Sequence, residues 1–199
     1  MGKSDLFSYL SAFVTVVLAV AMTDMIQSTH RLIRARDRVD LDVRPLLFAA
    51  VIALCVVSEF FSLWFRLDVT QVTMGRLLWL LATPTIFALL AYAALPDEVP
   101  EAGLDLANFF ERERRSWAVL FLIAVLLDLA RGLDLARSAG EPIADYLIFA
   151  APFAGAYLIS LAALFTARHR VLSLAGLLLL AATTVYLVFG WTIRANDVG

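Results

Sequence analysis

Two apolar stretches of this chain are too short to cross a lipid bilayer, and that shortfall constrains the fold more than any motif. A helix rises about 1.5 Å per residue, so a hydrocarbon core of about 30 Å calls for roughly 20 residues. Leu77 to Pro96, Tyr146 to Ala167 and Val171 to Ile193 reach that length without a charge, and Leu6 to Thr23 nearly does. Pro45 to Ser58 and Ser116 to Leu127 do not, because they supply only about 21 and 18 Å of helix. Admitting Glu59 and Asp128 to the membrane extends these two runs to residues 45–65 and 116–134, which span if the bilayer thins locally.

The expected fold is therefore all-α: a polytopic transmembrane bundle of six spans, forming one domain over residues 1–199. The spans fall at about 6–26, 45–65, 76–96, 116–134, 146–167 and 171–193. A re-entrant or interfacial placement is the alternative for the two short runs, but neither has the polar face of an interfacial helix. Lys3 ahead of an apolar stretch, with Ala19, Val20 and Ala21 after it, resembles a secretory signal. The basic cluster follows that stretch, at Arg31, Arg34, Arg36 and Arg38, so the segment reads as a retained span.

Composition agrees: 62% of the residues are hydrophobic and 17% charged, well away from a soluble globular chain. A formal charge of -2 provides no basic field for nucleic acid. The lone cysteine, Cys55, lies in an apolar run and reads as a small core residue. His30 and His169 sit at span ends without a set of carboxylates, so neither a metal nor another cofactor is expected.

With six spans, the connections after the first, third and fifth carry Arg31, Arg34, Arg36, Arg38, Arg44, Arg112, Arg114, Arg115, Arg168 and Arg170. The opposite side carries only Lys3, Arg66, Arg76, Arg131, Arg137 and Arg194. The positive-inside rule then places both termini outside, in the periplasm if the membrane is a bacterial inner membrane. Residues 104–115 set Leu104, Leu106, Phe109 and Phe110 against Asp105 and Glu111 to Arg115 and are expected to form a short amphipathic segment on the cytoplasmic surface. Its Phe109 and Phe110 would lie among headgroups, and Arg112, Arg114 and Arg115 near anionic lipid. Trp64, Trp79, Trp117 and Trp191 near span ends fit aromatic belts.

A carboxylate in hydrocarbon costs about 2.5 to 3.5 kcal/mol even on the lenient insertion scale, so Glu59 and Asp128 should face the interior of the bundle. Cys55, Glu59, Ser62 and Arg66 share one face of the second span, and Asp128 lies one turn from Arg131. Candidate ion-binding residues are thus Glu59, Asp128, Arg131 and Arg66, joined by Asp24 beside a stripe of Ser8, Ser11, Thr15 and Thr23. The competing expectation is structural, with Glu59 and Asp128 fixed by Arg66, Arg76 or Arg131 into salt bridges. The placement of Glu59 before Pro84 echoes that of Asp128 before Pro152, which suggests a duplicated helical hairpin.

The acid-rich run from Asp128 through Asp134 to Glu141 and Asp145 superficially resembles the signature of membrane phosphatidyl-alcohol transferases. Leu129 and Leu135 stand where that family has glycine after aspartate, so the resemblance fails. No nucleophile elbow, zinc motif or phosphate-cradling loop is present in the sequence, and an enzyme is not the expectation. Transport of a proton, cation or small solute through a cavity holding Glu59 and Asp128 is the first functional reading. A non-catalytic sensor or assembly module is the second, with Arg31 to Arg38 and Phe109 to Arg115 as its cytoplasmic contact surface. The bilayer is the expected partner, and a second copy of the chain is a candidate.

Overall fold

The computed structural model describes residues 3–64, 74–140, 142–166 and 170–196. Six α-helices make up nearly all of it: α1 (Lys3–Arg34), α2 (Val43–Trp64), α3 (Met74–Ala94), α4 (Leu106–Ala139), α5 (Ile143–Thr166) and α6 (Arg170–Asn196). Each helix coincides with one expected span to within a few residues, except that α1 and α4 are much longer. α1 has 32 residues and α4 has 34, about 48 and 51 Å, so both exceed a hydrocarbon core of about 30 Å.

Four helices are long and apolar enough to cross a membrane by length and composition: Ser11–Arg34, Val43–Phe61, Ile143–Phe165 and Arg170–Val188. They are compatible with a membrane protein. α3 contributes a shorter apolar stretch, Leu81–Ala94, among the described residues. α4 is not among the four; its apolar run Ser116–Leu127 lies between Arg115 and Asp128.

α2 is the central helix and packs against α1, α3, α4 and α6. Its sequence is largely apolar, with Glu59 the only carboxylate. Half of its apolar window is buried, against 28%, 17% and 33% in the other three membrane-length helices. The core beside it is aromatic. Trp117 of α4 is fully buried and stacks on Phe48 of α2 with ring centroids 4.4 Å apart, while Phe109 and Phe110 approach it edge-on. Its indole N–H donates to the Ala93 carbonyl at 2.9 Å. Trp117, Phe109 and Phe110 are therefore core residues that join α2, α3 and α4, and the expected place at the headgroups does not hold for them. The side chains of Trp64, Trp79 and Trp191 lie outside the described set.

The expected surface segment is likewise part of something larger. Leu104 and Asp105 form a short strand, β2, paired in parallel with β1 (Val39–Asp40) of the α1–α2 connection. Gly103 makes this approach possible, because at φ 97° a Cβ there would sit 3.0 Å from the Arg38 carbonyl oxygen. Asp105 then accepts hydrogen bonds from the Ala107 and Asn108 N–H groups and caps α4, which continues unbroken to Ala139. Strong helix formers at Glu111 to Arg115 explain why the polar segment joins the span in one helix.

Candidate functional site

Two clusters of charge occupy opposite ends of α2. Near its C-terminal end, Glu59 is 5% exposed, and its carboxylate accepts a hydrogen bond from the Arg131 guanidinium of α4 at 2.9 Å. Arg131 also bonds Asp128, one turn earlier on α4. One guanidinium thus bridges both acids named from the short apolar runs. Their surroundings differ, since the Glu59 side chain is 6% exposed and that of Asp128 59%. The echoed prolines differ in the same way, with Pro84 buried and Pro152 exposed.

Beside this cluster, Gly132 gives room to Tyr146 of α5, whose hydroxyl donates to the Leu129 carbonyl at 3.3 Å. A Cβ at Gly132 would fall 2.0 Å from the Tyr146 hydroxyl oxygen. Arg66 lies outside the described residues. Asp24 belongs elsewhere, at 3.9 Å from Arg31 of its own helix. Thr15 of the hydroxyl stripe lines an apolar crevice of about 150 Å³ with Leu18, Val56 and Phe60, and the Thr23 hydroxyl donates to the Ala19 carbonyl.

At the other end of α2, a second cluster centres on Asp42, which is 3% exposed. Its carboxylate receives the Arg44 backbone N–H at 2.8 Å, as an N-cap does, and so starts α2. The same carboxylate binds the Arg44 guanidinium at 2.9 Å and Arg170, at the start of α6, at 2.6 Å. Burial by itself would raise the Asp42 pKa, but the hydrogen bonds and charges of Arg44 and Arg170 outweigh it and hold the carboxyl well below the usual carboxylate range.

Arg44 reaches further, to Glu111 of α4 at 3.0 Å and Ser173 of α6 at 3.3 Å, and lies over the Phe110 ring. Glu111 also holds Arg114 at 2.9 Å. Arg114 turns inward and donates to the Leu164 carbonyl at 2.8 Å, a cation at the C-terminal end of α5. Arg112 and Arg115 stay at the surface. Sequence reasoning passed over Asp42, although Asp-Val-Arg-Pro before an apolar run is a helix-start pattern.

A third feature is a crevice of about 550 Å³ between the end of α1 and the α3–α4 connection, lined by Arg31, Arg34, Arg38, Asp97 and Glu98. Glu59 and Asp128 line neither described crevice. Among the described residues no group of three or more His, Cys, Asp or Glu is placed to hold a metal. Compared with protein-family models, curated proteins and solved structures, the chain matches none.

Proposed function

We propose that the chain is a non-catalytic module of a bacterial inner membrane, a single domain whose six helices all cross the bilayer with both termini in the periplasm. The observation that carries this reading is the buried Glu59 held at 2.9 Å by Arg131, which makes the intramembrane acid one half of a brace between α2 and α4. Enclosure of α2 by four other helices supports admitting that carboxylate to the membrane, because protein rather than lipid surrounds it. The excess of arginine on the α1–α2, α3–α4 and α5–α6 connections supports the orientation. The α2–α3 and α4–α5 hairpins then read as two copies of one unit whose acids meet at one arginine. A module of this kind senses a ligand or supports a partner through its arginine-rich cytoplasmic end.

One observation favours transport of a proton or cation as a second reading. Glu59 and Asp128 are two carboxylates brought to one guanidinium, and paired carboxylates are groups that a cation or proton binds.

Stability and flux separate the two. In the module reading, Glu59→Gln strands the Arg131 charge and costs about 3 kcal/mol, the lower end for breaking a buried pair because Asp128 still faces Arg131. Replacing Glu59 and Arg131 together by leucine recovers most of that loss, since two matched apolar residues remove the unpaired charge as well. Proteoliposomes of the wild-type chain then pass protons and alkali cations no faster than empty ones. Flux above background that falls in Glu59→Gln and Asp128→Asn, with folding intact, would instead establish transport.

A further inference from the structure

The crevice between α1 and the α3–α4 connection separates opposite charges that would ordinarily pair. Arg34 ends α1 and Arg38 lies in the turn just after it, while Asp97 and Glu98 form the facing wall. All four side chains are exposed, and none of them makes an ion pair among the described residues. Arg31, which also lines the crevice, is already committed: it contacts Asp24, donates to the Gln27 carbonyl, and bonds the Asp97 backbone carbonyl. That last bond, together with the β1–β2 pairing, fixes the two walls relative to each other. A volume of about 550 Å³ lies within the range of small-molecule sites.

The apolar run begun in α3 ends at Pro96, directly before Asp97 and Glu98, so on the reading proposed above the crevice opens at the headgroup level of the cytoplasmic leaflet. We infer that it binds a zwitterionic phosphoethanolamine group, its phosphate on Arg34 and Arg38 and its ammonium between Asp97 and Glu98, presented by a phospholipid. The guanidiniums match phosphate oxygens by their forked donors. A primary ammonium offers three N–H donors to the two carboxylates, whereas a choline headgroup offers none. A purely anionic headgroup would satisfy the arginines and leave Asp97 and Glu98 facing its charge.

The test uses the full chain purified in mild detergent, with lipid retention measured by native mass spectrometry for phosphatidylethanolamine, phosphatidylglycerol and phosphatidylcholine of equal chain length. The ethanolamine lipid is expected to be retained about tenfold more than the choline lipid, with the glycerol lipid between them. Asp97→Asn with Glu98→Gln removes the ethanolamine preference over glycerol and keeps phosphate binding. Arg34→Gln with Arg38→Gln removes the phosphate contacts and lowers retention of all three, the glycerol lipid falling furthest because Asp97 and Glu98 remain. All four residues are exposed, so circular dichroism should show these variants folded.

Equal retention of choline and ethanolamine lipid, or an unchanged preference in the Asp97 and Glu98 variant, would overturn the inference. Displacement of the lipid by an equal concentration of soluble phosphoethanolamine would reassign the site to the free compound and overturn the lipid source. Flotation with vesicles keeps the two readings apart. A chain that floats without headgroup preference loses this site alone, whereas a chain that does not float loses the membrane reading itself.

Discussion

The two ends of α2 hold charge in different ways. Around Glu59, Arg131 serves two carboxylates, one buried and one exposed, and joins α2 to α4. Around Asp42, three arginines serve two carboxylates and connect the start of α2, the first turns of α4, the end of α5 and the start of α6. Among the described residues one end is sparse and the other dense. The difference follows from where the helix termini lie. Free N–H groups at the starts of α2 and α6 favour Asp42, and free carbonyls at the end of α5 favour Arg114, so charge there is supported by backbone as well as by its partners. Glu59 sits within a helix whose backbone groups are already paired, so its burial is compensated by side chains such as Arg131 rather than by backbone.

The comparison ranks the effects of substitution, and the largest belongs to Asp42. Replacing it by alanine removes the α2 cap and leaves Arg44 buried without its main partner, at a cost of about 3 to 5 kcal/mol. Thermal unfolding in detergent micelles should place this variant below Glu59→Gln. The reverse order would mean that the sparse cluster braces the bundle. The same residue predicts a pH dependence. Its folded pKa lies below that of the unfolded chain, so the stabilisation is fully present above the ordinary value of about 3.9 and is lost as pH falls through that value towards the folded one. Wild-type protein should therefore lose stability between about pH 5 and pH 3, and Asp42→Asn should lose less over that interval. Equal losses in the two proteins would remove Asp42 from the acid response.

Gly132 tests how tightly the sparse end is packed. Alanine is the better helix former by about 1 kcal/mol, so on an open face Gly132→Ala would stabilise α4. Here the added methyl would overlap Tyr146, and moving that ring breaks its bond to Leu129, an overpacking penalty of about 1 to 3 kcal/mol. A net loss of stability is expected. A net gain would show that α5 does not approach α4 next to Arg131.

How much of this could be read beforehand depended on what hydropathy measures. Apolar run lengths located all six helices, because the packing and solvation that stabilise a long helix act on the same residues. The shortfall in two of them pointed to Glu59 and Asp128, and the nearest cations included Arg131, which meets both. Runs of apolar residues say nothing of where a helix stops once it becomes polar, so the extension of α1 to Arg34 and of α4 back to Leu106 was not visible. Nor do they distinguish an aromatic residue facing lipid from one facing protein, which is why Trp117 was assigned to a belt and is found stacked on Phe48. Asp42 was passed over for a related reason. A charged connection looks solvated until the ends of α4, α5 and α6 are brought against it, and those contacts join residues more than 60 positions apart.

The smallest expected effect sharpens the comparison within one cluster. Asp128 and Glu59 share Arg131, yet the Asp128 side chain is 59% exposed, and an exposed ion pair contributes about 0 to 1 kcal/mol. Asp128→Asn should therefore change the unfolding temperature little, far less than Glu59→Gln, although both remove one negative charge from the same guanidinium. Equal costs for the two would mean that Asp128 is enclosed by lipid or by a second copy of the chain. In that case two buried carboxylates would meet at Arg131, and the flux measurement would become the deciding experiment.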